Sequence, residues 1–146
     1  MYIHTIMTII IEINNNNIHY LQNFISNECP ATFRYFKTRN IDIIKNHVIT
    51  LILLDDGLSI GYAHIDYDNK YWFGICILEK YQGKGFGTQM MEYLFNHQKV
   101  KNLQEVILSV DKINDKAIRL YKKFNFDIIE EHAQFYIMKK PLCILI

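Results

Sequence analysis

The sequence predicts a single domain of the α/β class, α+β in type, and three observations carry that prediction. Its 146 residues suit one domain and can bury roughly 68–70% of the unfolded surface without staples. Hydrophobic residues make up 50% and charged residues 21%, an ordinary globular balance, and neither a repeat nor a Pro/Ser-rich linker divides the chain. Strand and helix patterns follow one another as β, α, α, β, β, β, α, β, α, β, β, which sets hairpins beside strand–helix–strand units.

A first strand is expected over 6–13, ended by the "NNNN" turn at 14–17, because Asn tolerates left-handed backbone and caps helices. Helical spacing of Ile18, Leu21, Phe24 and Ile25 follows, and Pro30 breaks it. "ATFRYFKTRNIDIIKNH" reads as a loop and a second short helix. From Val48 the pattern turns to strand: "VITLILL", a hairpin turn at Asp55-Asp56-Gly57, the return strand "LSIGYAHIDY", a turn at "DNK" and a third strand "YWFGICIL". Alternation there puts Tyr71, Phe73, Ile75 and Ile77 on one face and Trp72, Cys76 and Leu78 on the other. Gly74 in mid-strand signals a bulge or a close approach. A helix near 86–98 carries Met90, Met91, Leu94 and Phe95, and a buried-type strand covers 105–110. A helix over 114–124 aligns Ala117, Leu120, Tyr121 and Phe124 on one stripe, and "FDIIEE" with "AQFYIMKK" closes the chain as a strand pair.

Between the third strand and its helix stands "YQGKGFGTQM", with glycines at 83, 85 and 87. Bare amides at a helix N-terminus form an anion site, because the phosphate reaches the main chain and the helix dipole favours its charge. The spacing rejects a Walker loop, since Lys84 lies inside the run, and rejects the Gly-x-Gly-x-x-Gly dinucleotide fingerprint. It fits a third pattern, Gln/Arg-x-x-Gly-x-Gly/Ala, at Gln82-Gly83-Lys84-Gly85-Phe86-Gly87. A flexible turn needing positive φ remains the plain alternative.

The stretch "ICILEKYQGKGFGT" (75–88) resembles the acetyl-CoA-binding motif of GNAT-superfamily N-acetyltransferases. "VDKINDKAIRLYKKFNF" (110–126) resembles the family's next motif, with Asn114, Ala117, Leu120-Tyr121 and Phe126 in register. One departure is Asn125, where the family usually has Gly; Asn is the next-best residue for a left-handed helix C′ position. The resemblance implies one GNAT-like domain, a mixed, mostly antiparallel sheet of about six to seven strands with about four helices.

The resemblance also implies the roles. Amides of Gln82, Gly83, Lys84, Gly85, Phe86, Gly87 and Thr88 would cradle the CoA pyrophosphate, with Lys84 a candidate for the 3′-phosphate. The family's third-strand edge takes pantetheine like an added strand, so Ile75, Cys76 and Ile77 would offer backbone groups, the Ile77 amide as oxyanion donor. Tyr121 matches the usual acid for the leaving thiolate, and Asn114 a pantetheine contact that also suits an N-cap. A Lys-like amine, pKa about 10.4, must lose a proton before it attacks. Glu79 is one candidate base. His64 and Asp66, two apart on one strand face, are a second, as base and orienting carboxylate. Cys76 is not expected to carry the acyl group. Phe33, Arg34 and Tyr35 are the substrate-binding candidates, an aromatic–Arg clamp or a packed helix with one exposed Arg.

The expected function is therefore acetyl transfer from acetyl-CoA to a primary amine on a small molecule, possible acceptors including an amino sugar. The rival readings are a catalytically silent acyl-CoA-binding regulatory module and a protein or peptide N-acetyltransferase. No metal is expected. A net charge of +1 lacks the basic surplus of a nucleic-acid binder. No run of 18 apolar residues predicts a membrane span, and "MYIHTIMTIIIEI", which carries Glu12, reads as a strand and not a signal peptide. Cys29, Cys76 and Cys143 form no CxxC pair, which suits a reduced, cytoplasmic setting. The end "CILI" has the form of a prenylation box, but Ile is not a usual final residue, and a strand running to the chain end is the expectation. That last strand, taken as exposed, with its apolar tail, would suit homodimer pairing through a sheet edge.

Overall fold

Among the described residues, runs of β-branched and aromatic residues fold into seven strands of one sheet. The computed structural model describes residues 7–27, 29–30 and 33–142. The strands are β1 (Thr8–Glu12), β2 (His47–Asp55), β3 (Leu58–Asp68), β4 (Lys70–Ile77), β5 (Glu105–Asp111), β6 (Asp127–Glu131) and β7 (Phe135–Pro141), in spatial order β1-β2-β3-β4-β5-β7-β6. All neighbours run antiparallel except β4 and β5. The helices are α1 (His19–Ile25), α2 (Phe86–Asn96), α3 (Gln98–Lys101) and α4 (Asp115–Lys123). The fold class and the number and sequence positions of the strands match the expectation from sequence.

Turn chemistry fixes the hairpins. Asp56 and Gly57 both have positive φ (51° and 85°), the geometry of the tightest hairpin turns. Asn69 (φ 61°) turns β3 into β4. Phe24, Leu21, Tyr62 and Cys76 pack on the α1 face of the sheet. Met90, Met91, Leu94, Phe73, Tyr121 and Phe126 pack on the α2–α4 face.

Three expectations need correction. The second short helix is two 3₁₀ turns, Tyr35–Lys37 and Ile41–Asn46. The helix expected to 98 stops at Asn96, because His97 turns extended (ψ 141°) and its ring accepts the Lys99 N–H to start α3. The last strand is not an edge: β7 carries the buried pair Ile137–Met138 and sits between β5 and β6. Acidic β6, exposed throughout, takes the edge instead, where charge discourages further pairing. The homodimer contact expected of the last strand therefore has no free strand edge on β7. Cys143 and the apolar tail lie outside the described residues.

Helix α4 ends as its sequence requires. Asn125 has φ 69°. The Phe126 N–H bonds the Tyr121 carbonyl and the Asn125 N–H bonds the Lys122 carbonyl, both at 3.0 Å. This Schellman closure satisfies the helix's last carbonyls and brings Phe126 under Tyr121. Asn125→Gly should keep or raise stability, whereas Asn125→Val should lower it by about 1–2 kcal/mol, as read from urea unfolding midpoints.

Candidate active site

β4 and β5 are parallel neighbours joined at a single register pair, Trp72 with Ile107. Beyond it they diverge. Leu78 donates its N–H to Ile60 of β3 (2.9 Å), so by alternation the main-chain groups of Ile75 and Ile77 point the other way, into the gap. The Ile77 carbonyl is taken by the Gln82 side-chain amide (3.0 Å); this ties the glycine loop to the end of β4.

The loop's glycines divide the work. Gly83 and Gly85 have φ of 76° and 85°, and a Cβ on either would meet nothing within 4 Å. Conformation, not crowding, selects glycine there. Gly87 is different: its Cβ would lie 3.1 Å from the Leu120 side chain, so it lets α2 approach α4. Gly85 is the N-cap of α2 and no side chain caps the helix. Its first-turn amides, Phe86 to Thr88, have no intrahelical acceptor and are open to an anion.

Gap, loop and α4 enclose a cleft of ≈ 1710 Å³. Lining it are Gln82, Gly83, Gly85, Phe86, Gly87, Thr88, Ile75, Cys76, Ile77, Asn114, Tyr121, Glu79, His64, Asp66, Phe33, Arg34 and Tyr35. Of the sequence-predicted site residues only Lys84 is absent from the walls; its ammonium lies 5.7 Å from the Tyr81 ring centre. Lys116 and Arg119 of α4 stand in the walls instead. Their signal was their spacing of one helical turn just after Asn114. Asn114 caps α4, its side chain accepting the Ala117 N–H at 3.3 Å. Burial holds the Tyr121 hydroxyl in its neutral form, raising its pKa, with Cys76 adding to the shift. Burial likewise raises the Cys76 thiol, with its neighbour Cys29 adding to the shift. Glu79 begins an exposed 3₁₀ turn at the cleft's outer end.

Phe33, Arg34 and Tyr35 line the cleft without forming one clamp. Phe33 meets the Phe24 ring edge-on and the Tyr62 ring at a tilt. Arg34 makes a bidentate pair with Asp111 at the end of β5, both contacts 2.9 Å. Tyr35 turns inward to Asp66 (3.0 Å) and to His47 Nε2 (2.8 Å). His47, which no local pattern singles out, stacks on His64 at 4.6 Å between centroids. Gly74 makes room for this: its Cβ would stand 2.7 Å from His64 Cε1, and β3 and β4 pair there without a bulge. His64 is buried, bonded through Nδ1 to the Tyr62 hydroxyl (2.8 Å) and 3.9 Å from Asp66. The base-with-orienting-carboxylate pair expected of His64 and Asp66 is therefore not hydrogen-bonded. His47, His64 and Asp66 offer donor atoms within 4.8 Å of one another. Tetrahedral zinc needs about 3.3 Å between ligand atoms, and the two rings are within 16° of parallel, so their lone pairs do not converge.

Burial, with a contribution from the Arg39 charge, lowers the His47 pKa from 6.5 to about 4. Between these values the unfolded chain binds the proton and the folded protein does not. His47 thus contributes stability that is full above about pH 6.5 and is lost as the pH falls toward 4. From pH 7 to 4 the wild type should lose roughly 2–3 kcal/mol more unfolding free energy than His47→Gln, as measured by urea denaturation at each pH.

Comparison with known proteins agrees with this geometry. The family model described as Acetyltransferase (GNAT) family matches residues 14–126. The chain is 37% identical over 108 residues to a probable N-acetyltransferase, san, of Drosophila melanogaster, covering 69% of this chain and 59% of that protein. It is 37% identical over 82 residues to the spermine/spermidine N(1)-acetyltransferase of Bacillus subtilis strain 168, covering 49% of this chain and 54% of that one. The chain thus spans little more than half the length of these relatives. A GNAT-family acetyltransferase structure from Streptococcus pneumoniae superposes with a TM-score of 0.73 at 19% identity, over 94% of this chain and 100% of that one. With the strand splay and the glycine-loop helix start on the same cleft, the family match is decisive: this chain belongs to the GNAT acetyltransferase family.

Proposed function

We propose that the protein is an acetyl-CoA-dependent N-acetyltransferase that moves the acetyl group directly from CoA to a primary amine of a small molecule. One observation carries the reading: an uncapped helix start behind Gly83 and Gly85 and an edge of β4 at Ile75 and Ile77 that β5 does not pair open into the same cleft. The first suits a pyrophosphate and the second suits an extended amide-bearing arm that adds to the sheet. Lys116 and Arg119 supply charge for the remaining phosphate.

With the pyrophosphate at the outer end of β4, the arm runs inward along the splay and brings the thioester toward its vertex. The Ile75 and Ile77 amides lie along that path and offer the oxyanion a donor. Tyr121, neutral and in the cleft wall, is the group that gives the leaving sulfur a proton. That hydroxyl favours an active enzyme over a silent binding module. The Cys76 thiol, held protonated by burial, is a poor nucleophile, which supports direct transfer. The spermine/spermidine acetyltransferase among the relatives supports a small-molecule amine as acceptor.

Free-thiol release should fall about 10²–10⁴-fold in Tyr121→Phe, while acetyl-CoA at 100 times its Kd still stabilises the variant by about 2.7 kcal/mol. Unchanged turnover in Tyr121→Phe would remove the assigned acid. The absence of any thermal shift with the wild type would remove the cofactor assignment.

A further inference from the structure

The network at the vertex of the cleft reverses the roles that the sequence suggested for His64 and Asp66. Asp66 is the cross-strand partner of Trp72, the residue at which β4 and β5 pair, and His64 faces Gly74, two residues into the splay. Both line the cleft, but Asp66 shows 13% of its side chain against 4% for His64. The hydrogen bonds run toward the carboxylate. Tyr35 donates its hydroxyl to Asp66 Oδ2 at 3.0 Å. Its oxygen must then accept from His47 Nε2 at 2.8 Å, which leaves His47 Nδ1 to accept from Thr50 at 2.7 Å. The Tyr62 hydroxyl shares a hydrogen bond of 2.8 Å with His64 Nδ1, and His64 Nε2 stands 3.9 Å from Asp66 Oδ1, beyond hydrogen-bond reach. After this, Asp66 Oδ1 is buried and has no hydrogen-bond partner among the described residues. A buried carboxylate oxygen with an unused lone pair at a reaction vertex is an acceptor waiting for a donor.

We propose that Asp66 is the catalytic residue that receives the substrate ammonium and takes its proton, with Tyr35 and His47 as positioning residues behind it. This rests on the acetyltransferase reading. One proton passes from the ammonium nitrogen to the Asp66 carboxylate. The freed lone pair forms the N–C bond to the thioester carbonyl carbon, the C–S bond breaks, and a second amine proton leaves with the CoA sulfur by way of Tyr121. The amide keeps the third. Charges around Asp66 agree with this assignment. Tyr35 and Arg39 face it from the loop, His47 from β2, and His64 and Asp68 from its own strand. Burial raises the Asp66 pKa above its ordinary value, against the lowering effect of Tyr35 and Arg39. Burial, with His47 and Arg39, drives His64 far below its ordinary value. A base works best when its pKa lies near the working pH, so the environment improves Asp66 and disables His64.

The test uses spermidine, glucosamine 6-phosphate and an alanine-initiated peptide as amines, with saturating acetyl-CoA and free-thiol release as readout. Using whichever the wild type turns over fastest, Asp66→Asn should lower kcat about 10²–10⁴-fold, with the acetyl-CoA thermal shift retained. His64→Gln should lower kcat less than Asp66→Asn. Tyr35→Phe removes a bond that favours the Asp66 carboxylate, so the acidic limb of its kcat profile should move to higher pH. Turnover that survives in Asp66→Asn, or a His64→Gln loss as large as that of Asp66→Asn, would overturn the assignment while leaving the acetyltransferase reading intact. If the wild type turns over none of the three amines, the acetyltransferase reading and this assignment are overturned together.

Discussion

The site depends on a sheet that declines to close. β4 and β5 are parallel, and a parallel pair gains stability only through an evenly spaced ladder of bonds. Here that ladder stops at Trp72 and Ile107. Strands on either side keep full antiparallel registers, β3 against β4 and β5 against β7, so the gap is bounded by two rigid half-sheets. Main-chain groups left unpaired in a buried gap cost about 1–3 kcal/mol each. They are tolerated where solvent or a ligand can satisfy them. What the splay leaves open is backbone, which explains why the side chains of Ile75 and Ile77 look like ordinary core residues.

Everything else is arranged around the two ends of that gap. At the outer end, positive φ at Gly83 and Gly85 turns the chain so that α2 starts with its amides exposed, and Gln82 fastens the turn to β4. At the inner end, β3 contributes a line of polar side chains, Tyr62, His64 and Asp66, on the face away from α4. Their neighbours Ala63 and Ile65 join the opposite core. The period of two in one strand thus separates an apolar face from a polar one. α4 closes the far wall, and its Schellman turn at Asn125 sets Tyr121 against Phe126.

Much of this was legible in the sequence. The hairpin turns follow from Asp56-Gly57 and Asn69, and the left-handed glycine loop from Gly83 and Gly85, because both need backbone conformations that few residues adopt. The helix end at Asn125 was legible for the same reason. What escaped were long-range matters. His47 joins Tyr35 and His64 only because β2 pairs with β3. Gly74 read equally as a bulge or a close approach until the His64 ring appeared opposite it. The interior place of β7 depends on strand order, which no local pattern encodes. The aromatic–Arg stretch at Phe33–Tyr35 looked like one feature, yet its three side chains go to an aromatic cluster, an ion pair with Asp111 and the Asp66 network.

Amide hydrogen exchange at Ile75 and Ile77, with and without acetyl-CoA, tests the splayed edge most directly. If the cofactor arm adds to β4 as a strand, saturating acetyl-CoA should slow exchange at both amides about tenfold or more, beyond any change at Leu78, whose N–H already bonds β3. Exchange at Ile75 and Ile77 that stays unchanged under conditions where acetyl-CoA shifts the melting temperature would contradict it.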